Sequence, residues 1–220
     1  MIYPENYVIT IFGNEKSEAA AERCISSGYS TGGIIIEKWR ATVPNAYLRE
    51  QIENEGINVS RMNEIYSRTP NCIAAFFSHY SLWKYSVENN VQVTIFEHDA
   101  VCVNNVSTDI IFNGVISLGA PSYGKFNTPS SFGTVPLQSK TYFPGAHAYR
   151  VKPEAAQKLI DQARIEARPT DVFLNIETFP FLEELYPWPV EARDSFTTIQ
   201  LEAGCKAKHN FNQKYEIVDA

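Results

Sequence analysis

The sequence predicts an α/β fold in which helices cover a largely parallel sheet. Runs of β-branched and aromatic residues alternate with segments of helical apolar spacing, which is typical of layered α/β proteins. One such run, residues 33–37, is apolar at successive positions, the pattern of a strand buried on both faces. The 220 residues suffice for a single domain with a sizeable core and are few for two. Ligands of such sheets bind beyond the carboxyl ends of the strands, so chemistry is expected at the predicted strand ends.

The N-terminal part of the chain contains the first strand and helix. Residues 7–12 form a β-branched and aromatic run that ends at Gly13, which predicts a strand. Ser17 is expected to cap the following helix, and Gly28 is placed to end it. The run at residues 33–37 then supplies the second strand.

The middle and C-terminal parts continue the alternation of helices and strands. Pro44 suits the first turn of a helix that runs to about residue 54 and is closed by Gly56. Residues 71–88 carry large apolar side chains at spacings of three and four, which predicts a long helix with one broad apolar face. The remaining predicted elements are strands at 91–96, 114–119 and 146–151, and a helix that begins at Pro153.

Composition restricts the class of protein. A hydrophobic fraction of 44% with 13% aromatic residues excludes a disordered or fibrous chain. The net charge of −6 disfavours a nucleic-acid partner bound through its phosphates, but leaves one open. Residues 1–6 lack the features of a signal peptide, no apolar run is long enough for a membrane span, and the four cysteines have no metal or redox spacing. We therefore expect reduced thiols and a cytoplasmic protein, in a bacterium or, if virus-encoded, in its host.

Residues 120–145 form a long segment rich in Pro, Ser, Thr and Gly. A segment of this length in a compact domain is either a solvated connection or a binding loop. Its aromatic residues favour the binding loop, since aromatic rings stack on flat ligands. They are Tyr123, Phe126, Phe132, Tyr142 and Phe143.

Glu97 and Asp99 form an acidic turn directly after the predicted strand at 91–96. Two residues apart on extended backbone, their carboxylates can point to the same side. Oxygen ligands of this kind suit Mg²⁺ or Mn²⁺, which would neutralise a diphosphate leaving group. A solvated acidic turn is the alternative. His98 points the other way on extended backbone, so it is expected to pack or hydrogen-bond, not to ligate.

Four segments together resemble glycosyltransferase family 25, which contains lipooligosaccharide-type galactosyltransferases and their collagen-modifying relatives. Residues 71–83 (NCIAAFFSHYSLW) are similar to that family's helix with the Ser-His and Leu-Trp pairs, and residues 93–100 (VTIFEHDA) to its strand and acidic turn. Residues 145–160, beginning GAHAYRV, and residues 169–174 (PTDVFL) resemble its two later motifs. The order and spacing of all four segments match, over roughly residues 70 to 175.

The resemblance implies a single domain of the GT-A type, a Rossmann-like fold with a mixed, mostly parallel sheet, over residues 1–220. The donor nucleotide would bind to the half at about 1–105, and the acceptor to the half at about 106–220. The implied reaction is metal-assisted transfer, with inversion, of a hexose from a nucleotide-sugar donor, UDP-galactose or UDP-glucose, to an acceptor hydroxyl. The acceptor would be a glycan, by default a bacterial lipooligosaccharide, and the metal Mn²⁺ or Mg²⁺.

The resemblance also implies roles for individual residues. Glu97 and Asp99 would hold the metal and the diphosphate, and Asp171 would be the general base, with an N-cap of the next helix as its alternative role. The expected donor-binding residues are Ile11, Phe12 and Asn14 at the first strand end, Ser78 and His79 on the long helix, and Lys208 near the C-terminus. A late histidine completes the metal shell in many enzymes of this fold, which points to His209.

Several alternatives stay open. His79 could instead be a satisfied structural histidine, and His147 could equally contact the acceptor or be structural. The chain departs from the family at His98, where an acidic residue is usual, and at Asn14, where the first strand usually leads to an Arg-rich turn. These departures allow a catalytically inactive nucleotide-sugar or carbohydrate-binding module, or a virus-encoded transferase that modifies a nucleobase. A phosphate-ester hydrolase would need a denser Asp/His cluster.

Overall fold

The computed structural model describes residues 4–62, 67–193, 196–200 and 216–220. They form a mixed α/β fold, as predicted. The helices are α1 (Glu15–Gly32), α2 (Leu48–Glu55), α3 (Thr69–Asn89), α4 (Pro153–Ile165) and the single turn α5 (Thr170–Phe173). The strands are β1 (Glu5–Thr10), β2 (Glu37–Arg40), β3 (Val93–Glu97), β4 (Ala100–Cys102), β5 (Val115–Ser117), β6 (Gly133–Pro136), β7 (Ala148–Val151), β8 (Leu182–Tyr186), β9 (Val190–Ala192), β10 (Phe196–Thr197) and β11 (Glu216–Ile217).

The main sheet has, within the described ranges, seven strands in the order β2-β1-β3-β7-β5-β8-β6. β1 pairs in parallel with β2 and β3, and β5 pairs in parallel with β8. β7 and β6 run antiparallel to their neighbours, so five of the seven strands share one direction. The predicted mostly parallel sheet is therefore confirmed, and the carboxyl ends of β1, β3, β5 and β8 meet at one edge.

Alternation along the strands builds a core on each face of the sheet. Tyr7 and Ile9 pack with the apolar sides of α3 and α4, whereas Val8 packs with α1 on the opposite face. In β3, Ile95 packs on the same face as Tyr7 and Ile9, and Phe96 packs on the same face as Val8. Each strand residue thus serves the face to which its side chain points, because successive side chains alternate across a strand.

The start and end of α1 differ from the prediction. Its N-cap is Asn14, whose side chain accepts the Ser17 amide, so Ser17 is not the cap. The helix also continues past Gly28 to Gly32 and ends at Gly33, which has the left-handed φ of 67°. Gly28 is used for close packing instead, since a Cβ there would lie 2.6 Å from Cδ1 of Ile36.

Two further elements differ in position. The predicted second strand, residues 33–37, is largely extended chain before β2, and it is not buried on both faces, because Ile34 and Ile36 are buried while Ile35 is 74% exposed. The helix expected from Pro44 begins at Leu48, but Gly56 closes it as predicted. The other predicted elements are confirmed within a few residues. They are the long helix as α3, the strands as β1, β3, β5 and β7, and the helix at Pro153 as α4.

No helix in the described ranges is long and apolar enough to cross a membrane. Cys24, Cys72 and Cys102 are buried, as expected for reduced cysteines in the core, and Cys205 lies outside the described residues. The segment at 120–145 contains the short edge strand β6. The division into a donor half and an acceptor half stays a prediction.

Candidate functional site

A cavity of about 450 Å³ opens at the edge of the sheet where β1 and β3 end. Each of the four segments that resemble the glycosyltransferase motifs contributes to its lining, although they are separated by up to a hundred residues in the chain. The most polar of these contributions are Ser78 and His79 from α3, Glu97 and Asp99 after β3, His147 before β7, and Asp171 in α5. The cavity thus brings together residues that had been linked only because their segments resemble the motifs of one family.

Glu97 is the last residue of β3, and its side chain is 36% exposed toward the cavity. Its Oε1 lies 3.0 Å from Nε2 of His79. Burial acts to raise the pKa of Glu97, but the hydrogen bond and the electrostatic attraction of His79, together with the attraction of His147 and His98, outweigh it and hold the pKa below its usual value. Glu97 is therefore ionised, and its Oε1 is hydrogen-bonded with His79 before any ligand binds.

His98, between the two carboxylates, bonds within the protein. Its Nδ1 lies 3.0 Å from Oγ of Ser17, and its ring stacks on Phe196 with centroids 5.2 Å apart. The interpretation of His98 as a packing and hydrogen-bonding residue agrees with this geometry. The ring joins the acidic turn to α1 on one side and to β10 on the other.

Ser78 and His79 both hold the framework of the cavity. The Ser78 hydroxyl donates to the Ala74 carbonyl and accepts the amide of Thr42, so it ties the segment after β2 to α3. His79 is almost completely buried and uses both ring nitrogens, Nε2 with Glu97 and Nδ1 with the Tyr149 hydroxyl at 3.0 Å. The donor-binding role expected of Ser78 and His79 stays a prediction, and His79 is more closely coupled to the acidic turn than the sequence indicated.

Asp171 lies in the first turn of α5, whose N-cap is Pro169, so its alternative role as an N-cap is wrong. Its Oδ2 accepts a short hydrogen bond from the Tyr123 hydroxyl, and its Oδ1 accepts the Val172 amide at 2.9 Å. Burial raises the pKa of Asp171 above the usual value, and the negative charge of Glu97 adds to this against the lowering effect of the two hydrogen bonds. A partly buried carboxylate with a raised pKa is the kind of group that acts as a general base near neutral pH.

Two segments outside the four motifs also shape the cavity. Tyr123 and Tyr142 come from the long segment at 120–145, which supports its interpretation as a binding loop. Lys140 fixes these two rings, with its Nζ 4.5 Å from the centre of the Tyr123 ring and 5.2 Å from that of Tyr142. Phe196–Gln200 lines another wall, where the Asn71 amide group donates to the Thr198 carbonyl. Aromatic residues in a long loop were the signal for the first segment.

The predicted residues at the end of β1 are only partly brought to the cavity. Ile11 lines it, but Phe12 and Asn14 do not. Phe12 is 42% exposed, and Cζ of the Arg40 guanidinium lies 4.5 Å from the centre of the Phe12 ring. The Asn14 amide oxygen caps α1, and its Nδ2 donates to the carbonyl of Asp219 at 2.9 Å. In this arrangement the side chain of Asn14 serves the fold.

His147 is buried and lines the cavity close to the acidic turn. Its carbonyl accepts the Glu97 amide at 2.9 Å, so the backbones of the two segments are joined. The imidazole packs directly over Gly119, where a Cβ would lie 2.4 Å from Nε2. The position allows both roles that the sequence left open, a contact to the acceptor and a structural ring.

Glu97 and Asp99 are the described residues that could hold a divalent cation. No group of three or more His, Cys, Asp or Glu suited to a metal occurs in the described part of the chain, and Lys208 and His209 lie outside it. Mg²⁺ commonly takes one or two carboxylates and completes its shell with substrate phosphates and water. The pair therefore fits Mg²⁺ or Mn²⁺ together with substrate oxygens, not as a complete protein cage.

Charge in the cavity is unbalanced. The described lining residues include the carboxylates of Glu97, Asp99 and Asp171 but neither Lys nor Arg. A diphosphate carries negative charge of its own, and like charges in a shared site repel. Binding of such a ligand therefore needs a cation that accompanies it or positive groups from outside the described residues.

Comparison with known proteins gives a structural likeness only. No protein-family model matches the chain, and no curated protein matches it. A crystal structure of the glycosyltransferase GlyE from Streptococcus pneumoniae TIGR4 is similar over 84% of this chain, with 13% identity and a TM-score of 0.43. The apo form of GlyE gives 83% coverage, 14% identity and a TM-score of 0.43. In both cases the chain spans 45% of the length of the solved protein.

Proposed function

We propose that the chain is a glycosyltransferase, which moves a hexose from a nucleotide-sugar donor to an acceptor hydroxyl with inversion. The observation that carries the proposal is the convergence of all four motif-like segments on one cavity. A pair of carboxylates at a strand end and a partly buried carboxylate of raised pKa share that cavity. The likeness of the motifs favours a UDP-hexose as donor and a glycan as acceptor.

In the proposed reaction the two kinds of carboxylate have different tasks. Glu97 and Asp99 would hold Mn²⁺ or Mg²⁺ with the donor diphosphate, and the bound cation would neutralise the charge of the leaving nucleotide. Asp171 would accept the proton of the acceptor hydroxyl as the oxygen bonds to the anomeric carbon and the bond to the diphosphate breaks. The Tyr123 hydroxyl keeps one Asp171 oxygen occupied, so the carboxylate meets the acceptor in a fixed orientation.

A thermal-shift series with nucleotide sugars tests the donor site. A ligand that binds only the folded state raises the melting temperature, so UDP-galactose or UDP-glucose with Mn²⁺ is expected to stabilise the protein. Asp99→Asn should abolish the metal-dependent part of the shift. Asp161→Asn, an exposed change on α4, is the matched control and should retain it. The absence of a shift with any nucleotide sugar would contradict the proposal.

Turnover is tested by the release of UDP. Asp171→Asn should retain the thermal shift but lose transfer, because it keeps the shape of the side chain and removes the base. Loss of donor binding in Asp171→Asn would contradict the assignment of this residue to the acceptor step.

A second candidate is a binding module of the same fold without turnover. It is favoured by His98, which stands where the family has an acidic residue and is engaged by Ser17 and Phe196. The second candidate predicts a metal-dependent thermal shift with no UDP release under any acceptor. Release of UDP that depends on Asp171 would exclude it.

A further inference from the structure

A continuous line of hydrogen bonds runs from the core to the acidic turn. Nε1 of Trp83 donates to the Tyr149 hydroxyl at 2.8 Å, this hydroxyl lies 3.0 Å from Nδ1 of His79, and Nε2 of His79 lies 3.0 Å from Oε1 of Glu97. His79 and Trp83 are one helical turn apart on α3, so both reach the same hydroxyl. Three of the four motif-like segments are thereby connected.

The direction of each hydrogen bond follows from the chemistry of the groups. The indole nitrogen of Trp83 can only donate, so the Tyr149 oxygen accepts there. Burial raises the pKa of Tyr149 well above its usual value, and the hydroxyl therefore keeps its hydrogen. Its described partners are Trp83 and His79, so that hydrogen is donated to Nδ1 of His79. Nδ1 must then be the acceptor, and the ring proton lies on Nε2, facing Glu97.

The other tautomer of His79 leaves a buried group unsatisfied. With the proton on Nδ1, the Tyr149 oxygen would accept from both Trp83 and His79, and its own hydrogen would have no acceptor among the described residues. A lone pair on Nε2 would then face the carboxylate of Glu97. A buried polar group without a partner is costly, and Tyr149 is completely buried.

We propose that His79 is a positioning residue, which holds Glu97 through Oε1 and leaves Oε2 for the ligand. The inference rests on the proposed function, in which Glu97 holds a cation with the donor diphosphate. Tyr149 and Trp83 set the tautomer of His79, and the stacking of the nearly parallel His79 and Tyr149 rings, with centroids 5.7 Å apart, limits rotation of the imidazole. Groups that orient a metal ligand in this way typically change metal affinity about 10- to 100-fold when they are removed.

The tautomer is tested by ¹⁵N NMR of the whole protein with labelled histidine, without any ligand. The two- and three-bond couplings from the ring protons should show the donated proton of His79 on Nε2. Tyr149→Phe removes the donor to Nδ1 and should change this pattern. Tyr85→Phe removes a hydroxyl that bonds Glu5, away from the cavity, and should leave the pattern unchanged. A wild-type spectrum with the ring proton on Nδ1 and none on Nε2 would overturn the proposal.

The positioning role is tested by titration of Mn²⁺ in the presence of UDP, with free Mn²⁺ followed by electron paramagnetic resonance. His79→Leu should weaken Mn²⁺ binding about 10- to 100-fold. His79→Gln keeps an N–H donor at the position of Nε2 and should recover most of that affinity. Equal affinities of the Gln and Leu variants, both folded by circular dichroism, would overturn the positioning role.

Failure of the two proposals can be told apart. A wild-type protein that binds neither Mn²⁺ with UDP nor any nucleotide sugar overturns the proposed function, and the positioning role with it. An unperturbed Mn²⁺ affinity in His79→Leu, together with normal donor binding, overturns the role of His79 alone.

Discussion

Glu184 is a buried carboxylate on β8, and it fixes the long segment at 120–145 to the sheet. Its Oε1 accepts the backbone amides of Gln138 and Ser139, each at 2.8 Å, and its Oε2 accepts Nε1 of Trp188 at 2.9 Å. The side chain is completely buried. Replacement of Glu184 therefore tests whether these three hydrogen bonds hold the segment that brings Tyr123 to the cavity.

The size of the effect depends on how many donors lose their acceptor. Glu184→Ala removes the acceptor of three donors, and at roughly 1 to 2 kcal/mol for each unsatisfied group the loss is about 3 to 6 kcal/mol. This is a large part of the roughly 5 to 15 kcal/mol that stabilises a typical domain. Glu184→Gln keeps an oxygen for the two backbone amides but sets an amide nitrogen against the indole of Trp188. It should cost about 1 to 2 kcal/mol.

Urea unfolding followed by circular dichroism and tryptophan fluorescence measures these differences. Glu183→Gln is the matched control, since the neighbouring carboxylate is more exposed and its hydrogen-bond partner within the described residues is Asn113. It should change the free energy of unfolding by less than about 1 kcal/mol. Equal destabilisation by the Ala and Gln variants of Glu184, or a loss below about 1 kcal/mol in Glu184→Ala, would refute the reasoning.

Three further changes have defined outcomes. Tyr123→Phe removes a hydrogen bond that lowers the pKa of Asp171, so this pKa should rise further. Because the base must be ionised, the acidic limb of the turnover–pH profile should move to higher pH. An unmoved limb would contradict the assignment of the base. Gly28→Ala places a Cβ 2.6 Å from Ile36 and should destabilise the fold by about 1 to 3 kcal/mol in urea unfolding, whereas an unchanged midpoint would show that α1 can shift. Burial raises the pKa of Cys102 to about 11, so its alkylation at pH 8 should be roughly a hundredfold slower in the native protein than in denaturant. Mass spectrometry locates the alkylated residue, and similar rates in the two conditions would contradict the burial of Cys102.

The sequence was sufficient to predict the order of the elements and the direction of the sheet. The apolar face of α3 repeats at helical spacing over 21 residues, and β3 is a compact apolar run that ends in charge. Such long or sharply bounded patterns are decided locally. The prediction of a strand buried on both faces at residues 33–37 was wrong, because Ile35 is exposed. The apolar identity of a residue alone does not show whether a helix will cover it.

The ends of α1 could not be predicted from residue type. Ser17 and Asn14 are both good N-caps, and Asn14 is used because the Ser17 hydroxyl is taken by the Ile11 amide and His98. Gly28 and Gly33 are both good stops, and packing against Ile36 decides that Gly28 stays inside the helix. In both cases the choice depends on contacts that exist only in the folded chain.

Much of the candidate site follows from the sequence. Glu97, Asp99 and Asp171 were expected at strand and helix ends, and the cavity contains all three. The link through Tyr149 was not predicted, because it joins residues from three separate segments. The spacing of His79 and Trp83 by one helical turn was visible, but it indicates only a shared face and not a shared partner.

The hydrogen-bond partners of three carboxylates separate structural from chemical roles. Glu184 is completely buried, accepts three N–H donors and lies outside the cavity, so ligand binding or proton transfer there would first have to break the fold. Glu97 has one oxygen engaged by His79, and Asp171 accepts one donor on each oxygen, Tyr123 on Oδ2 and the Val172 amide on Oδ1, with a raised pKa. A carboxylate that the fold orients without saturating can still bind a cation or accept a proton. The incomplete hydrogen bonding of Glu97 and Asp171, more than their acidity, therefore makes the chemistry of this cavity possible.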